Sequence, residues 1–261
     1  MIRALERACD LLEILSHSSE PLGLSQLAAA ANLHSATCAN LLKTLMARGY
    51  VDQVAPRKGY QLGPMAYYLA RQGPWRKDLV RVATPFMSGL ARLTEESVVL
   101  ATLHQGRWYQ LAEVRGDQPV QANQVSGGLS VYRTATGRVL LAYLPEEAYV
   151  VLARHGMPGE AWPEVGTNVD ALAEAGRLIR EAGGLVEYGT QDGVARVAFP
   201  VWEQEQVVAA LGVYLPDFRF EGEHEKLVIA GAMEAAKEIE KALDPERERE
   251  DWDEFVRGGK K

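Results

Sequence analysis

Apolar and polar positions change period several times along the first sixty residues. Over residues 2–16, Leu5, Ala8, Cys9, Leu11, Leu12 and Leu15 recur at helical intervals against a charged face, which predicts an amphipathic helix. A break at Pro21-Leu22-Gly23 precedes Ser25, a residue type favoured at N-caps, and a short helix over residues 26–31. Asn32-Leu33-His34 reads as a turn, Ser35 as the cap of a longer helix reaching Arg48, and Gly49 as its C-terminal stop. In that longer helix the spacing assigns Ala36, Leu41, Leu42, Leu45 and Met46 to the core and Ser35, Thr37, Ala39, Asn40, Lys43 and Thr44 to the other side. The pattern then turns to strands over residues 50–54 and 60–62, around the turn Pro56-Arg57-Lys58-Gly59. Helix, helix, turn, helix, hairpin is the order of a winged helix-turn-helix.

Residues 64–71 predict a short linker helix, Gly73-Pro74 a break, and residues 75–93 a long helix. Beyond it, β-rich runs at 97–103 and 108–114 flank the turn Gln105-Gly106-Arg107, and runs at 194–202 and 207–215 predict a second hairpin. Helical patterns cover 134–144, 146–155, 170–182 (with Asn168 as a candidate cap) and 223–243. Hairpins interleaved with helices predict an α+β domain on an antiparallel sheet flanked by helices, not a βαβ array. The expected organisation is a winged helix-turn-helix over 1–63, a linker helix over 64–74, a larger domain over 75–243 and a charged tail over 244–261.

Charge sharpens this division. The net charge is −7, but residues 1–72 carry seven Lys/Arg against five Asp/Glu, whereas residues 73–243 carry 16 against 23. Acidic repulsion disfavours nucleic acid along most of the chain, so a nucleic-acid footprint belongs to the first segment, and even there the basic excess is small. Cys9 and Cys38 lack any CxxC partner, and His17, His34, His104, His155 and His224 are scattered, so neither a metal site nor a cofactor is expected. No apolar run approaches the ~20 residues of a membrane span, and the N-terminus lacks a signal-peptide core; a cytoplasmic protein is expected.

The most specific chemistry lies between Ser25 and Val51. In a helix-turn-helix the second helix enters the major groove, so its polar face must read bases and hold phosphates. Ser35, Thr37 and the helix N-terminus suit phosphate oxygens, Lys43 suits phosphate by charge, Asn40 suits adenine N6/N7, and Ser25 is a further DNA-binding candidate. Arg57 and Lys58 at the wing tip suit flanking phosphates. The same positions also fit the solvated face of an ordinary three-helix bundle.

Ser25-Gln26-Leu27-Ala28, Leu33-His34-Ser35-Ala36-Thr37, Leu41-Leu42-Lys43-Thr44-Leu45, Gly49-Tyr50-Val51 and Gly59-Tyr60-Gln61-Leu62-Gly63 together resemble the IclR family of bacterial transcription regulators. The resemblance continues through Gly127-Gly128-Leu129, Thr134-Ala135-Thr136-Gly137-Arg138-Val139-Leu140-Leu141-Ala142 and Gly193-Val194-Ala195-Arg196-Val197-Ala198-Phe199-Pro200-Val201, and spans residues 2–243 in order. It implies a GAF-like C-terminal domain that binds a small organic effector, and a homodimer or a dimer of dimers acting on operator DNA without catalysis. By motif position the effector pocket draws on Gln121, Leu129, Ala135, Thr136, Arg196, Gly212 and Tyr214. Leu129 and Ala135 serve as apolar wall, Gln121, Thr136 and Tyr214 as hydrogen-bonding groups, and Arg196 suits a carboxylate, so an anionic ligand is the first choice. The bland alternative makes Arg196 a strand-surface residue in an ion pair and Tyr214 a core aromatic.

Two departures from the family pattern stand out. Asn40 replaces the arginine usual in the reading helix, and Tyr188-Gly189-Thr190-Gln191-Asp192 replaces an acidic element before Gly193-Val194. A ligand-sensing or interaction module with little DNA affinity therefore remains a competing class. An enzyme is a weaker one, since the sequence holds no GxSxG, P-loop or strand-linked GxGxxG.

Overall fold

The computed structural model describes residues 2–55, 58–72, 76–122, 130–145, 147–149, 152, 156–189 and 192–243, and it divides into two compact units, Met1–Trp75 and Arg76–Lys261. The first unit holds α1 (Arg3–Ser16), α2 (Leu24–Ala30), α3 (Ser35–Ala47), the antiparallel pair β1 (Val51–Gln53) and β2 (Tyr60–Leu62), and α4 (Pro64–Gln72). Its core is one cluster, with Leu11 and Leu15 from α1, Leu27 and Ala28 from α2, Cys38, Leu42 and Leu45 from α3, and Val51 from β1. The helical spacing of α3 thus delivers Cys38, Leu42 and Leu45 inward, while Ala36 and Met46, assigned to the core above, are exposed. Cys38 takes the place the sequence reading gave them, because the buried stripe is centred on 38, 42 and 45. Cys9 is exposed.

The C-terminal stops of α2 and α3 both have Schellman geometry. Asn32 after α2 and Gly49 after α3 sit at φ 52° and 74°, with Leu33 N–H donating to the Ala28 carbonyl and Tyr50 N–H to the Leu45 carbonyl. The starts differ from expectation. Ser25 and Ser35 do not cap: α2 begins at Leu24, with the Gln26 side chain accepting from Gly23 N–H at 2.8 Å, and α3 begins at Ser35 after His34, whose side chain makes no cap bond. Leu22 also pairs with Tyr60 through an isolated antiparallel bridge beside the hairpin.

The second unit is an antiparallel five-stranded sheet in the order β4-β3-β7-β6-β5, from β3 (Ser97–His104), β4 (Arg107–Val114), β5 (Leu185–Glu187), β6 (Val194–Glu203) and β7 (Gln206–Pro216). Strand alternation gives each face its own core. Val98, Leu100, Val197, Phe199, Leu211 and Val213 pack with α5 (Lys77–Thr94) and the final helix α8 (Gly222–Leu243). On the opposite face Ala101, Ala198, Ala210 and Trp108 pack with α6 (Ala135–Ala142) and α7 (Val169–Ala182). Asn168 caps α7 as expected, accepting from the N–H groups of Asp170 and Ala171. Of the helix expected over 146–155, residues 147–149 and 152 are helical. The expected tail over 244–261 lies outside the described residues.

Candidate functional site

In the first unit, α3 presents Ser35, Ala36, Asn40, Lys43, Thr44 and Ala47 as one exposed strip opposite its Cys38–Leu42–Leu45 stripe. Ser25 and Lys58 are exposed and Thr37 is half-buried; Arg57 lies outside the described residues. The Asn40 side chain is exposed, while its carbonyl accepts from Thr44 Oγ1 at 3.1 Å. No side chain caps the first turn of α3, so the N–H groups there keep both their hydrogen-bonding capacity and the positive end of the helix dipole.

In the second unit, strand register builds a polar row across the α6 face. Glu187, Arg196, Tyr214 and Ser97 are successive cross-strand partners on β5, β6, β7 and β3, so their side chains share one face. One pleat further along, Leu185, Ala198, Gly212 and Val99 form the matching row. It is small at its centre because α6 lands there: a Cβ at Gly212 would sit 2.6 Å from Thr136 Cγ2. Thr134 caps α6 by accepting from Gly137 N–H at 3.0 Å. Between the rows and the start of α6 lies a narrow cleft lined by Val99, Arg133, Thr134, Ala135, Thr136, Val194, Arg196, Val197, Gly212, Val213 and Tyr214.

Five of the seven residues expected at the pocket line this cleft: Ala135, Thr136, Arg196, Gly212 and Tyr214. Leu129 lies outside the described residues. Gln121 does not line it, and donates instead to the Gly116 carbonyl. The polar members are already engaged. Thr136 Oγ1 accepts from the Trp108 indole at 3.0 Å and donates to Thr134 Oγ1 at 3.3 Å. Tyr214 donates to Glu113 Oε1 at 2.5 Å, and burial together with that carboxylate pushes the phenol well above its ordinary range. The Arg196 guanidinium, expected to face a ligand carboxylate, is held by Asp192 through Nη2 to Oδ2 and by the Val194 carbonyl at 3.0 Å. Gly212 acts through close packing.

Arg133 and Arg196 also border a second, wider cleft, open to solvent, with Arg138, Trp162, Glu164, Glu187 and Asp192 in its wall. Arg138 ties that wall together. It donates to the Tyr132 carbonyl at 2.9 Å, to the Ala161 carbonyl at 2.8 Å and to Glu187, and lies 4.5 Å over the Trp162 ring. Burial outweighs the mutual attraction in this pair, holding Glu187 above and Arg138 below their usual ranges. Sequence reading missed Arg133, Glu187 and Asp192. Arg133 carried one signal, since a cation immediately before a helix N-terminus opposes the dipole and calls for another reason to be there. Glu187 sits on a strand of three residues, too short for periodicity to reveal.

Residues 4–55 match the family model of the IclR helix-turn-helix domain and residues 75–241 that of the bacterial transcriptional regulator IclR C-terminal domain. The chain belongs to the IclR family of bacterial transcriptional regulators. Among its relatives, the glycerol operon regulatory protein of Streptomyces griseus is 31% identical over 218 residues, 82% of this chain and 85% of the relative. The HTH-type transcriptional regulator XynR of Escherichia coli K12 is 28% identical over 216 residues, 82% of this chain and 86% of the relative. An IclR homolog from Microbacterium hydrocarbonoxydans, solved in complex with 4-hydroxybenzoate, shares the fold with a TM-score of 0.72 at 24% identity, covering 93% of this chain and 99% of the homolog. As in the IclR family, a DNA-binding helix-turn-helix here accompanies an effector-binding C-terminal domain. Among the described residues, no group of His, Cys, Asp and Glu is placed to hold a metal ion, and no helix is long and apolar enough to cross a membrane.

Proposed function

We propose that this IclR-family regulator reads operator DNA with the exposed strip of α3, Ser35, Asn40 and Lys43, assisted by Ser25, Thr37, Arg57 and Lys58, and that it acts as a homodimer or tetramer in the cytoplasm without catalysing a reaction. The observation that carries the reading is the division of α3 into a buried Cys38–Leu42–Leu45 stripe and a polar strip that starts at an uncapped N-terminus. That arrangement suits phosphate at the first turn and base edges beyond it. Asn40 supplies an amide suited to adenine, so the preferred operator differs from one read by a longer cation.

The effector site is the cleft beside α6. Its apolar floor of Val99, Val194 and Tyr214, with Ala122 against it, suits a flat organic body, and Arg133 and Arg196 at its border suit an acid. The 4-hydroxybenzoate in the Microbacterium homolog is a ligand of that description. DNase footprinting on the DNA upstream of the protein's own gene tests the reading. A protected site that weakens with Lys43→Ala is the expected result. An absence of sequence-specific protection at low salt would leave a ligand sensor with no operator and reject the DNA-binding role.

A further inference from the structure

Of the two guanidinium forks that line the cleft, Arg133 and Arg196, the Arg196 fork is occupied by a carboxylate. Asp192 takes Nη2 through Oδ2 and approaches Nη1 through Oδ1 at 3.4 Å, while Oδ1 also accepts from Val194 N–H at 3.2 Å. A guanidinium already neutralised by one carboxylate offers little to a second until the first departs, whereas exchange of one for the other conserves the local charge. Asp192 is exposed enough for water to receive it, at 38% of its side-chain surface, whereas Arg196 is 13% exposed and fixed on a strand. The mobile partner is therefore the acid.

The residues around Asp192 connect it to the last helix. Gly193 accepts from Asp217 N–H at 2.9 Å, and Gly189 fits so tightly that a Cβ would lie 2.4 Å from Asp217 Oδ2. Tyr188 donates to Glu225 of α8 at 2.7 Å and its ring lies 5.5 Å from Phe220. Arg219, in the same 3-10 turn as Asp217, grips the buried Glu96 at 2.7 Å through two nitrogens and holds the Val120 carbonyl at 2.8 Å. Whatever moves Asp192 therefore pulls on the start of α8.

We propose that Asp192 is a resident stand-in for the effector's carboxylate: an organic acid entering the cleft takes Arg196 from it, and the freed Asp192 loosens the 217–225 segment at the start of α8. This rests on the reading of the cleft as the effector site.

The test uses the full chain with benzoate and 4-hydroxybenzoate as probes and benzamide as the uncharged control. Asp192→Asn removes the competing charge, so the acids bind it about tenfold more tightly than wild type, the order of one charge-assisted hydrogen bond, while benzamide is unaffected. Asp192→Glu retains the competitor and binds as wild type does, and Arg196→Gln abolishes the gain in the Asp192→Asn background. By hydrogen exchange, acid speeds exchange over 217–225 in wild type, and Asp192→Asn shows that faster exchange without ligand. Acid binding that is equal or weaker in Asp192→Asn overturns the exchange while leaving the cleft as effector site. Acid binding to neither protein overturns both.

Discussion

At the scale of single residues, the cleft is shaped as much by what is missing as by what is present. Gly212 lets α6 approach the sheet within contact of its backbone, and that approach is what sets Ala135 and Thr136 along the cleft. Gly212→Ala places a methyl group 2.6 Å from Thr136 Cγ2, an overpacking that costs about 1–3 kcal/mol. Urea unfolding should show a lower midpoint with an unchanged m value; an unaltered midpoint would mean that α6 moves away freely. The same residue marks the limit of sequence reading. The motif placed Gly212 and Thr136 in one neighbourhood, and they are indeed side by side, yet nothing in the spacing distinguishes a glycine that admits a ligand from one that admits a helix. Arg196 makes the same point, since its position was legible and its partner Asp192 was not.

At the scale of elements, periodicity found every long helix and strand of at least eight residues named above, because a buried stripe must repeat to be buried. It failed where the physics is local. Ser25 and Ser35 have the chemistry of caps, but the Gln26 side chain reaches back to Gly23, and α3 simply starts at Ser35. It failed again at β5, whose three residues are fixed by pairing with β6 and by the Arg138–Glu187 contact. That contact has a pH signature. Burial raises the Glu187 pKa above its ordinary 4.5, so the folded protein holds the proton more tightly than the unfolded chain does. The stability Glu187 contributes is then complete below the ordinary carboxylate range and is lost as pH rises through the folded value. The difference in unfolding free energy between wild type and Glu187→Gln should therefore fall as pH rises from about 4 to 8, and a difference that grows would show that the Arg138 attraction prevails over burial.

At the scale of the whole molecule, charge and topology place the two activities under different constraints. The chain carries −7 overall, yet the strip on α3 is lined by Lys43, with Arg57 and Lys58 further along the sequence. With so few cations, specific DNA binding should depend only moderately on salt, with a slope of about −3 per protomer in log K against log salt and about one unit less for Lys43→Ala. A slope unaffected by Lys43→Ala would remove that residue from the phosphate contacts. Topology sets a second difference. The first unit closes its core within 75 residues, through neighbouring helices. In the second, the central strands β3 and β7 meet across most of the unit, with Thr102 Oγ1 donating to the Val208 carbonyl 106 residues later. On a ribosome the reading head is therefore finished while β3 still waits for its neighbour, with the edge that β7 will cover exposed to other chains. A polypeptide halted in that interval carries the helix-turn-helix without a finished effector-binding domain, so the order of synthesis makes complete translation a condition of effector control.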